Sequence, residues 1–279
     1  MVISTRDALL SALGNNSSRI ILDKATIASQ GANTFVSMWR ATGQPGQGAI
    51  PAAAAICTNA LTGACNFNQQ SSPATSYAAL FYAVCSNAAM TVEMHDRLMH
   101  MGGLSGTVIT AQTVGIDISA NLATSNIDAR KGDANYSDIQ WWLEWYTATG
   151  STAVNATVNV TYNDASTGNL TAIALAATRP ASFVQPLNSY IPAAQSGLFI
   201  KAVNTVTLSA STLTAGSFGV TATRPRLNAP IPLANLSFTY DWAALGLPEI
   251  PNSACLFPIM LTSTTSTGTL RGGGKIAHG

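Results

Sequence analysis

Thr152–Tyr162 reads TAVNATVNVTY and Val203–Ser211 reads VNTVTLSAS. Apolar and polar residues alternate with period two, the spacing of a strand that buries one face and opens the other. Their polar positions carry Thr, Asn and Ser instead of charged residues. The same choice runs through the whole chain. Only 25 of its 279 residues are Asp, Glu, Lys or Arg, or 9%, against roughly 25% in an ordinary soluble domain.

Working outward, the alternation predicts strands at 106–118, 139–147, 154–162, 170–177, 198–209, 216–223, 237–240, 255–263 and 268–276, with earlier candidates at 34–39, 77–86 and 90–98. Turn signals such as Thr149-Gly150-Ser151 and residues 164–168 join neighbours as antiparallel pairs. The expected fold is therefore mainly β, an antiparallel β-sandwich of jelly-roll or Ig-like type. Residues 4–13 read as a short helix capped by Ser4 or Thr5 and stopped by Gly14. Residues 20–27 read as extended or partly helical, 43–51 as a Gly/Pro loop and 52–60 as a short helix. The expected organisation is an N-terminal arm over 1–35 and a β-sandwich body over 36–279, with a subdivision near 103–106 or 180–192 as the alternative.

Composition narrows the function classes. Net charge is +1 and the densest basic spots are Arg130-Lys131 and Arg224/Arg226, so no stripe exists to meet a phosphate backbone and nucleic acid is not expected as a partner. The longest apolar run, Tyr77–Cys85, has nine residues, about half of the ~18–20 needed to span a membrane. With no run long enough to span, no membrane partner is expected, and the N-terminal stretch does not read as a signal peptide, so export by that route is not expected either. Cys57, Cys65, Cys85 and Cys255 form no CxxC pair and are expected as buried free thiols. Sequons at Asn155, Asn159, Asn169 and Asn235 are what an Asn/Thr-rich chain yields by chance.

The residues that could carry chemistry cluster in 93–106. His95, Asp96, Arg97 and His100 stand beside Gly102-Gly103 and Ser105. Histidines five apart miss the i, i+4 spacing of a helical zinc motif and face opposite sides of a strand. This stretch is read as a strand end with a charged turn, and the Gly-Gly as a tight turn. A carboxylate pair would have to come from Glu93, Asp96, Asp138 and Glu144, and nothing in the spacing brings two together. In Ile139–Tyr146, IQWWLEWY, alternation puts Trp141, Leu143 and Trp145 on one face and Trp142, Glu144 and Tyr146 on the other. Both faces should be covered; the alternative is an aromatic platform for a sugar. Ala177-Thr178-Arg179-Pro180 and Ala222-Thr223-Arg224-Pro225 repeat each other, each at the end of a predicted hairpin. No catalytic, cofactor-binding or metal-ligating residue is assigned, and no cofactor is expected.

Several stretches together carry a resemblance. These are Met38-Trp39-Arg40-Ala41 with Gly43-Gln44-Pro45-Gly46, Asp96-Arg97-Leu98 with residues 100–106 (HMGGLSG), Trp142-Leu143-Glu144-Trp145-Tyr146, and residues 240–248 (YDWAALGLP). Through nearly its whole length the chain resembles a family of tailed-bacteriophage virion structural proteins. The resemblance implies a non-enzymatic virion component, made and assembled in the bacterial host cytoplasm. Its partners would be other copies of itself and a major virion protein, with capsid decoration as the leading role. A tail or collar component, including a carbohydrate-binding receptor-recognition module, is the alternative. The matching motifs are packing motifs, so no site residue is implied.

Overall fold

The computed structural model describes residues 3–28, 30–87 and 90–279. The fold is mainly β, 45% strand and 11% helix, with antiparallel sheets and a short N-terminal helix. In chain order the first elements are α1 (Arg6–Asn15), β1 (Ser17–Lys24), β2 (Thr34–Ser37), β3 (Gly43–Gln44), β4 (Ala55–Ile56), β5 (Ser76–Cys85), β6 (Met90–Leu104) and β7 (Gln112–Asp117). Then come α2 (Ile127–Lys131), β8 (Gln140–Thr147), β9 (Val154–Tyr162), β10 (Thr167–Asn169), β11 (Ile173–Leu175), β12 (Phe183–Pro186) and β13 (Ile200–Leu208). The last are β14 (Ser217–Ile231), β15 (Phe238–Asp241), α3 (Trp242–Leu245), β16 (Leu256–Thr262) and β17 (Leu270–His278).

The chain forms two compact units. One comprises Met1–Ala49, Thr58–Asp96 and Pro225–Gly279; the other Ile50–Cys57 and Arg97–Arg224. The chain passes between them on either side of residues 50–57, within β6 and again within β14.

In the first unit a five-stranded sheet runs β15-β5-β17-β1-β3. Its inward residues, among them Ile20, Leu22, Phe81, Ala83 and Ile276, share a core with Val92 and Met94 of β6 and Leu256 and Met260 of β16. β16 lies between β2 and the first part of β6. Residues 17–24, expected within a separate arm, are instead paired residue for residue with β17, from Ser17↔Ala277 to Lys24↔Leu270. Period-two burial over SSRIILDK explains the difference: Ser18, Ile20, Leu22 and Lys24 all point inward. The helix forms where its cap places it, with Thr5 accepting from the Ala8 amide.

In the second unit β10-β9-β13-β7 form one sheet, with β11 also on β9. Val154, Ala156, Val158, Val160 and Tyr162 face a core completed by Trp141, Leu143 and Trp145 of β8 and by Phe218 and Val220 of β14. β8 is flanked by β12 and by the first part of β14. Burying each Val or Leu of these faces contributes ~1.5–3 kcal/mol.

Several expectations are corrected. Residues 90–104 are one strand of 15 residues, not a strand ending in a charged turn at Asp96-Arg97. Gly102-Gly103 lie inside that strand, not in a tight turn. Glycine is needed hereabouts for close approach: a Cβ on Gly219 of β14 would sit 1.7 Å from the Met101 carbonyl oxygen. Residues 52–60 form no helix, because Ala55–Ile56 pairs with Met99 and His100. The second Ala-Thr-Arg-Pro is interior to β14, where Pro225 is tolerated, and does not end a hairpin. The predicted turn from Tyr240 into one helical turn is present, with Asp241 capping α3 through the Ala244 amide.

Candidate functional site

Strand β6 sends three consecutive polar side chains into the interior, and His95, Asp96 and Arg97 are each 0% exposed. Burial of this kind is tolerated only where every charge and polar atom meets a partner. Arg97 meets them in the second unit. Its Nη1 and Nη2 donate to Glu144 Oε1 (3.2 Å) and Oε2 (2.5 Å), and Nε donates to His100 Nδ1 (3.0 Å). Nη2 also donates to Tyr146 Oη (2.8 Å) and Thr221 Oγ1 (3.1 Å). Those two hydroxyls in turn donate to Glu144 Oε2 at 3.2 and 2.5 Å. Burial, the largest single influence, works against the Arg97 charge, but the Glu144 carboxylate, Tyr146, Cys57 and the hydrogen bonds to Glu144 together outweigh it and hold the guanidinium above its ordinary pKa. Burial, then the Glu144 charge, raises the Tyr146 phenol.

This network ties β6 to β8 and β14. It explains the double-sided aromatic strand: Trp141, Leu143 and Trp145 enter the core, while Glu144 and Tyr146 close around Arg97. Trp142 hands its indole N–H to Thr223 Oγ1 at 2.9 Å. With Trp141, Trp142, Trp145 and Tyr146 all at most 3% exposed, the sugar platform considered for them is ruled out. Arg130 of α2 completes the set, donating to the carbonyls of Cys57 (2.8 Å) and Arg97 (2.9 Å).

In the first unit Asp96 Oδ2 accepts from Arg226 Nη2 at 3.0 Å, and its Oδ1 accepts from the Cys255 amide at 2.8 Å. His95 Nε2 lies 2.9 Å from Glu93 Oε2. Asp138, in the second unit, pairs with Arg224 at 3.0 Å. Each of the four acids considered for a carboxylate pair thus faces a nitrogen partner. Ser105 lies in a loop, its amide donating to Gln112 Oε1 at 2.7 Å. Among the described residues no group of three His, Cys, Asp or Glu side chains is placed to hold a metal.

Two polar arrangements escaped the sequence reading. Lys24 ends the inward row of β1, and its Nζ donates to the carbonyls of Ala41 (3.1 Å), Pro45 (2.6 Å) and Gly46 (3.3 Å). The Gly/Pro loop is therefore wound around an ammonium, whose pKa burial lowers to about 8. Cys65, close enough to feel that charge, has its thiol pushed up to about 12 by burial. The inward parity of Lys24 was the available signal. The second arrangement is His278, with Nε2 2.7 Å from Ser18 Oγ and Nδ1 2.8 Å from Ser76 Oγ. These are the contacts of a nucleophile, base and orienting group. However, the three residues are 7%, 1% and 2% exposed in the order Ser18, His278, Ser76, and Ser18 Oγ is also occupied by the Asn68 amide. The trio fastens the last strand to β1 and β5, and desolvation lowers the His278 pKa. All four cysteines are buried and free, as expected.

No protein-family model matches the chain, and no curated protein matches it. Solved structures that align with it include several from infectious bursal disease virus. The structure of the Gt strain is 11% identical, covering 93% of this chain and 81% of that one, with a TM-score of 0.17. The crystal structure of the T13 viral particle is 7% identical over 97% and 82%, with a TM-score of 0.16. The crystal structure of the VP2 subviral particle is 10% identical over 94% and 80%, with a TM-score of 0.17. Overlap this low establishes neither a shared fold nor a shared function for this chain.

Proposed function

We propose that this chain is a non-enzymatic structural subunit of a bacteriophage virion, a capsid decoration protein that stabilises the shell through symmetric contacts between copies and with the major capsid protein. One observation carries the reading. Seven of the 25 charged residues, Lys24, Asp96, Arg97, Arg130, Lys131, Glu144 and Arg226, are buried. Only 18 remain for the surface, 8 basic and 10 acidic. A surface left to Thr, Ser, Asn and Ala hydrogen-bonds across protein contacts without the desolvation penalty of charge. Closed symmetry then repeats each such contact over many copies.

The buried polar clusters support the non-enzymatic part. Arg97, Glu144 and Tyr146, with His100 and Thr221, spend their hydrogen bonds within one buried network, in the manner of groups that fix strand register. The resemblance to tailed-phage structural proteins supports the virion, with synthesis and assembly in the host cytoplasm. Immunogold labelling of intact virions tests the assignment. Regular label over the head is the expected result; label confined to the tail, or none on the particle, overturns it.

A further inference from the structure

The two Ala-Thr-Arg-Pro segments end differently. Arg224 is held by Asp138 at 3.0 Å. Arg179, on the loop between β11 and β12 of the second unit, has neither an acid nor a hydrogen-bond acceptor for its guanidinium among the described residues, and its Nε is buried without a partner. Its position is nonetheless fixed. The guanidinium lies over the Phe183 ring, 4.3 Å from the centroid. The loop is clamped by bonds from the Thr149 amide to the Arg179 carbonyl (3.1 Å), the Thr178 amide to Gly150 (2.8 Å) and the Ser182 amide to Trp145 (2.6 Å). Thr178 and Ser182 sit at φ of 52° and 69°, a region that non-glycine residues hold only when the surroundings impose it.

Arg179 lines an open groove of about 350 Å³, the lower end of the ~300–1,000 Å³ of small-molecule sites. Exposed Ala153, Ala174 and Ala176 give it aliphatic lining, and Asn155 and Ser209 supply its other polar side chains. Ser209 Oγ accepts from the Asn155 amide at 2.9 Å, which leaves its own proton to donate. A fixed guanidinium fork with unused donors matches a carboxylate. Aliphatic lining with an amide and a hydroxyl matches one pyranose ring.

We propose that this groove binds a single carboxylate-bearing sugar unit, its carboxylate on Arg179, its ring on the aliphatic lining and its hydroxyls toward Asn155 and Ser209. The site uses none of the aromatic residues of β8 and stands wherever on the virion the chain sits. Titration of the full chain with glucuronate, its methyl ester and N-acetylalanine, read by saturation-transfer NMR and calorimetry, tests it. Glucuronate is expected to bind saturably. The ester, and glucuronate with Arg179→Gln, are expected to bind about 10-fold more weakly or worse. Ala174→Trp, which fills the groove and leaves the guanidinium in place, is expected to abolish binding. Far-UV circular dichroism confirms that both variants are folded. Absence of glucuronate binding, equal binding of the ester, or unchanged binding by either variant overturns the site. N-acetylalanine binding as tightly as glucuronate overturns its assignment to a sugar.

Discussion

Replacing Glu144 by Leu tests the reading of the Arg97 cluster most sharply. The variant removes two of the bonds to Arg97, at 3.2 and 2.5 Å, and leaves the guanidinium with His100, Tyr146 and Thr221 but no counter-charge from the carboxylate. Breaking a buried pair from one side costs about 3–5 kcal/mol, because the surviving charge stays desolvated. That is a large share of the ~5–15 kcal/mol that holds a domain folded. With a urea slope of ~1–3 kcal/mol/M, the midpoint should fall by roughly 2 M. Tryptophan emission reports it, since Trp141, Trp142 and Trp145 lie on the same strand. The double variant Arg97→Met/Glu144→Leu removes both charges and should recover much of the loss, by ~2 kcal/mol or more. The exposed Asp23–Arg271 pair, at 3.1 Å with side chains 58% and 67% exposed, is the internal control, and Asp23→Asn should cost under ~1 kcal/mol. A Glu144→Leu cost below ~1 kcal/mol, or single costs that simply add in the double variant, would refute the argument.

Gly219→Ala should destabilise by about 3 kcal/mol or more, because the new Cβ would meet the Met101 carbonyl oxygen at 1.7 Å; a soluble variant with the wild-type urea midpoint contradicts this. Ellman's reagent should titrate the four thiols only as fast as the chain opens, given their burial and a Cys65 pKa near 12; rapid labelling of the native chain contradicts it. His278 has its folded pKa lowered by desolvation, below the ~6.5 of the unfolded chain. Its contribution is complete above that value and is lost as pH falls beneath it, because the unfolded state takes up the proton first. Urea midpoints measured between about pH 7 and pH 5 should therefore fall more steeply for the wild type than for His278→Gln, and identical slopes would exclude the effect.

Alternation made the strands legible because each has one face in a core. TAVNATVNVTY became β9 with burial on every second residue, and the Thr5 cap and Asp241 turn were readable from local chemistry alone. Strand lengths were less legible where polar residues are buried. MTVEMHDRLMHMGGL looks like a strand with a charged end, because the partners that neutralise Asp96 and Arg97 lie far away in sequence at Arg226 and Glu144. Parity held the clue in two places. Glu144 stands between Trp142 and Tyr146 on a face that must be covered, and Lys24 follows Ile20 and Leu22 inward. A charge at an inward position demands a partner, even when the sequence does not name it. The two-unit division was hidden for another reason: both β6 and β14 run through it without a break in strand character. The groove at Arg179 rests on the absence of an acid opposite one arginine, which its echo at Arg224 possesses, and spacing along the chain carries no trace of that difference.

A charge-poor surface that serves to be covered in a shell should bind that shell in fixed number. Adding the purified chain to purified phage heads that lack it, and counting bound copies by quantitative mass measurement, tests this most directly. Saturation at a fixed number of copies per head is expected, with a shell that then survives higher urea and little loss of binding as salt is raised. Heads that take up none of the chain, or take it up without saturating, would contradict it.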